Sequence, residues 1–470
     1  MMLDFSNFKN WLAASSGYSK ETVSNVISRL KRADAILPWF HDEVYLFRLE
    51  QTEEYMGLSL SVKSQIKKAV KLYFEYLQFE SDRYVNVEPS AHNILSLFAN
   101  IGVAEAYLKE TGFHVAVANE LIDRRAKLYS EIYPETNMIC GDITDDEVFG
   151  KVIDASKKAN VDIIMATPPC QGMSTAGQQI EDDFRNTLVC PVIRAIKELK
   201  PNYVFLENVP QFLNTSIIVD GERVRIPDLL ESELGEFYEI IPNVINTKDY
   251  SVPQTRERAI ILMTKRGKKC WTLPDKDPKT VTMQEAIGHL PMLDPYVTDI
   301  SDDERMEMFP HYQERKEAAE RISKWHTPPH HIYRQVVAMQ HTPTGATAFD
   351  NERYYPVKED GTRVRGYHNT YKRQNWDTAA YTVTMDNRKI SSQNNVHPGR
   401  LIGVDQDGIP IYSDARTLTL YEIMIIMSLP ENWPVPTRTS EAFLRRIIGE
   451  GIPPRFVKKA FLALKEIDNE

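Results

Sequence analysis

Between about residues 92 and 266, short apolar runs alternate with helix-patterned segments, and every run stops at a polar, Gly or Pro turn. The runs are Ile94–Phe98, Val115–Val117, Met138–Ile139, Asp162–Ala166, Tyr203–Leu206 and Ile260–Leu262. Strands this short, apolar on both faces and separated by helices, bury themselves best by pairing in parallel under two helical layers. The pattern predicts an α/β chain built on a doubly wound, mostly parallel sheet. In such sheets ligands lie beyond the carboxyl ends of the strands. The polar residues that close each run are therefore where chemistry is expected.

Other patterns flank this one. Residues 1–85 read as a small all-helical module. Phe5, Phe8 and Leu12 recur at three- and four-residue spacing, as do Val23, Val26, Ile27 and Leu30, and then Ile66, Val70, Tyr73 and Leu77. Ser19 is placed to cap the second helix, with Glu21 in its first turn. Over 267–375 the periodicity fades into a stretch rich in Pro, His and charge. Over 376–470 an apolar helical pattern returns, through Tyr421–Leu429 and Phe443–Leu464.

Composition narrows the function. With 42% hydrophobic and 26% charged residues the chain can build a packed core. Its 56 Lys and Arg stand against 66 Asp and Glu, a net charge of −10, so a nucleic acid must be met by local basic patches. Cys140, Cys170, Cys190 and Cys270 form no CxxC pair, which predicts a reducing compartment without disulfides or a zinc ribbon. The opening MMLDFSNFKN lacks a basic start leading into an apolar core, and Ile423–Met427 is far too short an apolar run for a bilayer. A cytoplasmic, non-membrane protein is expected. His326, His330 and His331 lack cysteine partners and a ligand spacing, so no metal site is expected.

Four segments carry chemistry. Thr167-Pro168-Pro169-Cys170-Gln171-Gly172-Met173-Ser174 follows the run DIIMA directly, so Cys170 belongs on a loop at the carboxyl edge of the sheet. A thiol so presented can act as a nucleophile once deprotonated, although a cysteine taken alone is more often structural. Leu206-Glu207-Asn208-Val209 puts a carboxylate at the same edge, able to hold or give a proton. Pro253-Gln254-Thr255-Arg256-Glu257-Arg258 sets two arginines on one side of an extended segment, suited to orienting a carboxylate. Leu97-Phe98-Ala99-Asn100-Ile101-Gly102, with Glu120 and Asp142 ending the next two runs, suits the ribose of an adenosine. Only one glycine is present, so the dinucleotide fingerprint fails, and no phosphate-binding GxxxxGK[ST] loop exists.

In this order, the segments resemble the C5-cytosine DNA methyltransferases, which transfer methyl groups from S-adenosylmethionine. The resemblance covers roughly 92–464. It rests on PPCQ, DDFRNTL at 182–188, ENV at 207–209, QTRER at 254–258, RTLTLYEIMIIMSLP at 416–430 and GEGIPP at 449–454. It implies a sheet of the class I methyltransferase type over 92–266 and a small target-recognition domain over 267–375. The chain would return to the catalytic domain over 376–470. Cys170 would attack carbon 6 of a flipped-out cytosine, Glu207 would hold or protonate ring nitrogen 3, and Arg256 and Arg258 would orient Glu207 and the base.

The resemblance also implies a pocket for S-adenosyl-L-methionine. Phe98, Ala99, Ile101 and Gly102 would form its loop, Phe98 on the adenine side. Glu120 would bind the ribose hydroxyls with Leu121 beside it, and Asp142 the adenine amino group. Ile143, Pro169, Leu188 and Ile452 would complete the walls, with Glu450 near the methionine end. Gln171, Ser174, Arg185 and Gln254 would face the DNA. So would Arg363, Arg365, Lys372 and Arg373, from a segment with six Lys and Arg against two acids between Arg353 and Arg373. Two departures stand out. Asn100 replaces a usual turn glycine, and Asn tolerates the left-handed conformation better than most residues. Glu450 replaces a usual Asn.

Residues 1–85 carry a second likeness. FKNWLAASSGYSKETVSNVISRLKR and VKSQIKKAVKLYFEYL resemble the helical core-binding domain of tyrosine recombinases, which implies an extra DNA clamp. Ten basic and ten acidic residues over 1–80 suit a packing or dimerisation domain equally well. The expected partner is double-stranded DNA, met by a monomer in a bacterial cytoplasm, with a cognate restriction endonuclease acting separately. An RNA cytosine-5 methyltransferase and a non-catalytic DNA-binding regulator are the alternatives.

Overall fold

A computed structural model describes residues 5, 8–9, 11–12, 19–39, 45–83, 92–169 and 184–469. Contacts divide the chain into two units, Met1–Glu88 and Pro89–Glu470.

The first unit is helical, with its longer helices at Lys20–Ile36 and Leu60–Arg83. The hydroxyl of Ser19 accepts from the Thr22 amide at 3.2 Å, satisfying one of the helix's orphan donors. Phe8, Leu12, Val23, Val26, Leu30, Ile66, Val70 and Tyr73 meet in one core, as their spacing predicts. Trp39 completes it, 4.4 Å from the ring centre of Tyr45 and edge-on to Tyr73. The likeness to a recombinase clamp finds no further support in this architecture.

The second unit is built on a seven-stranded sheet. Its members are β1 (His92–Leu97), β2 (Phe113–Glu120), β3 (Asn137–Cys140), β4 (Ile163–Ala166) and β5 (Tyr203–Asn208). Beyond a hairpin of β6 (Ser216–Val219) and β7 (Glu222–Arg225) come β8 (Tyr238–Asn246) and β9 (Glu257–Lys265). The order is β3-β2-β1-β4-β5-β9-β8, with β1 to β5 parallel and β9 antiparallel to both its neighbours. This is the expected doubly wound sheet of the class I methyltransferase type. Its two faces bury separate cores, one around Leu95, Leu97, Ile164 and Leu206, the other around Ile94, Ile163, Phe205 and Phe461.

Between β9 and Thr419 regular structure thins to short helices, among them Tyr312–Ile322 and Tyr333–Gln340, and two-stranded ribbons. Here a buried ionic cluster takes over much of the organisation. The Arg416 guanidinium is fully buried, forks onto both oxygens of Glu422 at 2.8 Å and reaches Asp414 at 2.8 Å. Glu422 in turn closes a capping box with Thr419 at the start of the helix Leu420–Ile426. The buried histidines join the same core, His326 against the Thr419 hydroxyl at 2.9 Å and His331 accepting from the Thr417 amide at 3.1 Å. Among the described residues no group of three or more His, Cys, Asp or Glu could hold a metal ion. Nor, among them, is any helix long and apolar enough to cross a membrane.

Candidate active site

The strand order reverses between β1 and β4, and the expected residues gather at that carboxyl edge. Phe98–Gly102 follows β1, Glu120 ends β2, Asp142 follows β3, Thr167–Pro169 follows β4, and Glu207 lies near the end of β5. Because β9 runs the other way, its beginning comes to the same edge. Glu207 pairs with Ile260 and Asn208 with Ala259, which sets Arg258 just past the end of β5. The Arg258 Nε lies 2.8 Å from a Glu207 oxygen, and both side chains are nearly buried. Burial pushes the Glu207 carboxyl above the usual range, with Arg258 and then Arg256 opposing it. The result is a carboxyl that holds a proton more readily than an exposed one while remaining oriented.

Arg256 is used differently from the expectation. Its buried guanidinium donates to the carbonyls of Val383 at 2.9 Å, Gly449 at 2.9 Å and Glu450 at 3.4 Å. It acts on Glu207 through charge while tying the 449–450 turn to the sheet. Gln254 is fully buried, with its amide nitrogen 3.0 Å from the Met427 sulfur and its oxygen accepting from the Val383 amide at 3.0 Å. It is a brace between distant segments, which corrects its reading as a DNA contact.

The segment leading to Cys170 is anchored at its root. The Thr167 amide donates to the Leu97 carbonyl at 3.2 Å, the Thr167 hydroxyl to that of Phe98 at 3.2 Å, and the Asn208 amide nitrogen to that of Pro168 at 3.1 Å. Asn208, quoted only as part of the ENV segment, thus joins β5 to the β4 loop. Cys170, Gln171 and Ser174 lie outside the described residues, as does the side chain of Arg185.

On the other side of the edge the loop after β1 takes an unusual path. Phe98, Asn100 and Gly102 have φ of 60°, 53° and 80°, so Asn100 does adopt the left-handed conformation expected of it. Gly102 can have no side chain, because a Cβ there would lie 2.1 Å from the Tyr133 ring. Glu120 is buried and accepts from the Asn100 and Ile122 amides at 2.9 Å each, one per carboxylate oxygen. Each oxygen keeps a lone pair for a hydroxyl donor. Leu121 and Ile122 beside it are exposed and form an apolar shelf. Asp142 uses Oδ1 for the Thr144 amide and hydroxyl at 2.9 and 2.7 Å. A ribose diol, an apolar ring and a neighbouring amino group fit this set.

The remaining expected cofactor residues divide. Ala99, Ile101, Ile143 and Ile452 are buried in the cores below the edge, so at Ile101 in particular only backbone can face a ligand. Leu188 is half-buried at the end of the short helix Phe184–Leu188. Glu450 is paired with Arg125 at 2.9 Å, a residue that carried no signal in the sequence. Burial pushes the Glu450 carboxyl up while Arg125 and Arg446 oppose.

In the later region, Arg363 and Arg365 are exposed near Tyr367, which is 80% exposed. The Arg363 guanidinium lies 4.6 Å from the Tyr355 ring centre, and the Lys372 ammonium 5.2 Å from that of Tyr381. Arg373 cannot join them. It is fully buried and donates to the carbonyls of Met339, His397, Ser413 and Asp414, an internal knot for four segments. A run of basic residues says nothing about which of them points inward.

Comparison with known proteins follows the same lines. The chain is 41% identical over 381 residues to the Type II methyltransferase M1.HgaI of Avibacterium volantium, covering 80% of this chain and 98% of that protein. It is 30% identical over 202 residues to the Type II methyltransferase M.XorII of Xanthomonas oryzae pv. oryzae, covering 42% of this chain and 46% of that protein. A crystal structure from an E. coli prophage, described as a DNA modification methyltransferase, shares the fold with a TM-score of 0.55 and 18% identity, over 81% of this chain and 100% of that one. The model of the C-5 cytosine-specific DNA methylases matches residues 92–466, and the chain belongs to that family.

Proposed function

We propose that this DNA cytosine-5 methyltransferase is the modification enzyme of a bacterial restriction–modification pair. Its substrate is a cytosine flipped out of a specific duplex sequence, and Cys170 is its nucleophile. The observation that carries the reading is the Glu207–Arg258 pair, nearly buried beside the anchored root of the Cys170 loop.

The chemistry follows from the residue types. Carbon 5 of cytosine is a poor nucleophile. Addition of the Cys170 thiolate to carbon 6 makes an enamine, and the charge developing on the ring is met at nitrogen 3 by the Glu207 proton. Arg258 keeps that carboxyl aimed at the base, and Arg256 adds positive charge without touching it. Once carbon 5 carries the methyl group, its proton passes to solvent, the carbon 6–sulfur bond breaks to release the Cys170 thiolate, the nitrogen 3 proton returns to Glu207, and the aromatic ring is restored. Bound S-adenosylmethionine supplies an electrophilic methyl group. Glu120 would hold its ribose, Asp142 its adenine amino group, and Phe98 with Leu121 its ring. Gln171, Ser174 and Arg185 would close over the flipped nucleotide, and Arg363, Arg365 and Lys372 of the 267–375 region would meet the duplex. The enzyme would work as a monomer in the cytoplasm, with a separate endonuclease as its genetic partner. The similarity to two Type II methyltransferases supports this setting.

The test is methyl transfer from labelled S-adenosylmethionine to duplex DNA, with Cys170→Ala alongside and bisulfite sequencing of the product. Label at carbon 5 of cytosines within one short sequence, absent from the variant, is the expected result. Transfer to RNA alone, or undiminished transfer by the variant, would overturn it.

A further inference from the structure

Glu105 is a buried carboxyl that the chemistry above does not use. It stands a few residues past the loop Phe98–Gly102 that follows β1. Its Oε1 accepts from the Ser96 hydroxyl at 2.6 Å, and Ser96, equally buried, is the penultimate residue of β1. The two residues are nine positions apart, so a single hydrogen bond draws the chain together on either side of that loop.

The loop needs such a clasp. Phe98 and Asn100 both have φ in the left-handed region, which non-glycine residues hold only when their surroundings require it. At Gly102 the requirement is met by Tyr133, whose hydroxyl donates to the Gly102 carbonyl at 2.5 Å and accepts from the Trp433 indole at 3.1 Å. At the base of the loop it is met by Ser96 and Glu105. Phe98 and Asn100 lie between these two anchors, and the Asn100 amide in turn holds Glu120.

We propose that Glu105 is a positioning residue for S-adenosylmethionine, acting through Ser96 to close the base of the loop that carries Phe98 and Asn100. This rests on the cofactor reading of the pocket. Among the described residues, the side chains that act on the carboxyl are Ser96 from β1, Tyr129 from the helix Asp123–Ile132 and Tyr133 just after it. None is a cation, and burial keeps both phenols protonated. Glu105 Oε2 and the Tyr129 hydroxyl are buried without a hydrogen bond of good geometry. Burial therefore pushes the Glu105 carboxyl up to about 7, with hydrogen bonds from Ser96, its own backbone and Tyr129 opposing. In an opened loop the carboxyl would reach water and ionise in the ordinary range. The closed loop thus holds the proton more tightly, and closure weakens as pH rises towards 7.

The test is calorimetric binding of S-adenosylhomocysteine to the full-length protein at pH 6 and pH 8, with no turnover. Ser96→Ala should weaken binding by about fivefold or more at pH 6, and wild type should bind about threefold or more weakly at pH 8 than at pH 6. Glu105→Gln can accept from Ser96 through its carbonyl and donate to Tyr129 through its amide. It should match wild type at pH 6 and keep that affinity at pH 8, a rescue that a side chain needed only for packing would not produce. Unchanged binding by Ser96→Ala, or the same pH response in wild type and Glu105→Gln, would overturn the proposal. A wild-type protein that binds no S-adenosylhomocysteine at either pH would instead overturn the cofactor reading beneath it.

Discussion

Glu207 shows how far one residue type can be taken from its ordinary behaviour. Burial disfavours its charged form and raises its pKa, and Arg258 and Arg256 moderate that rise. Its pKa in the folded protein exceeds that in the unfolded chain, so its contribution to stability is present at low pH and is lost as pH rises. If it delivers a proton to the base, activity falls on the alkaline side as it deprotonates. Glu207→Gln should lower kcat by about 10²- to 10⁴-fold and flatten that alkaline limb. A pH profile of single-turnover transfer checks both, and a Gln variant with a wild-type profile would remove Glu207 from the chemistry. At this scale the sequence was partly legible. The residue types and their place at strand ends pointed to Glu207, Arg258 and Glu120, and the left-handed Asn100 followed from side-chain sterics. Arg125 was invisible, because its partner lies far along the chain.

Among the elements, strands buried on both faces announced themselves as apolar runs, the edge strand β3 did so only as the pair Met138–Ile139, and the edge strand β8 did not. β8 is an edge strand with an exposed, mixed face and Pro242 within it, so no run marks it. The β6–β7 hairpin, which no apolar run marked, turns on an Asp-Gly pair between two extended segments. Asp220 and Gly221 have φ of 50° and 83°, as a type I′ turn requires. The helix Leu420–Ile426 depends on the fork between Arg416 and Glu422. Burial alone would raise the Glu422 carboxyl, but Arg416 and then His397 hold it well below the ordinary range. Arg416→Ala would leave Glu422 and Asp414 buried without their cation, and should cost about 3–5 kcal/mol. Denaturant unfolding measures this, and a double-mutant cycle with Glu422→Gln should show strong coupling. A loss below 1 kcal/mol would show that the cluster holds nothing together.

For the molecule as a whole, pH acts through buried histidines. Burial lowers His326 to about 4, His331 to about 3 and His397 to about 4, despite Asp414 and Glu422 near the first and last. Each therefore protonates in the unfolded chain before it does in the folded one. Stability is retained above about pH 6.5, the ordinary histidine value. It is lost as pH falls from there towards 4, by about 1 kcal/mol per histidine between pH 7.5 and 5.5. Thermal melts across that interval should show the midpoint falling, with His326→Gln flattening the slope. A midpoint independent of pH would mean these rings are not buried neutral.

What the sequence determined by itself was local and periodic: the alternation that demands a doubly wound sheet, the helical spacing of the first unit, and the chemistry waiting at each strand end. Those features depend on neighbours a few residues away. What only the tertiary structure decided was which side chains point inward and which distant segments meet. Arg373 and Gln254 look like surface contacts in a basic, polar stretch. They are internal, because loops without regular hydrogen bonding must satisfy their buried carbonyls and amides from side chains. Asn100 and Glu450, separate oddities along the chain, meet because packing sets the loop after β1 against the turn that follows the helix Glu441–Glu450.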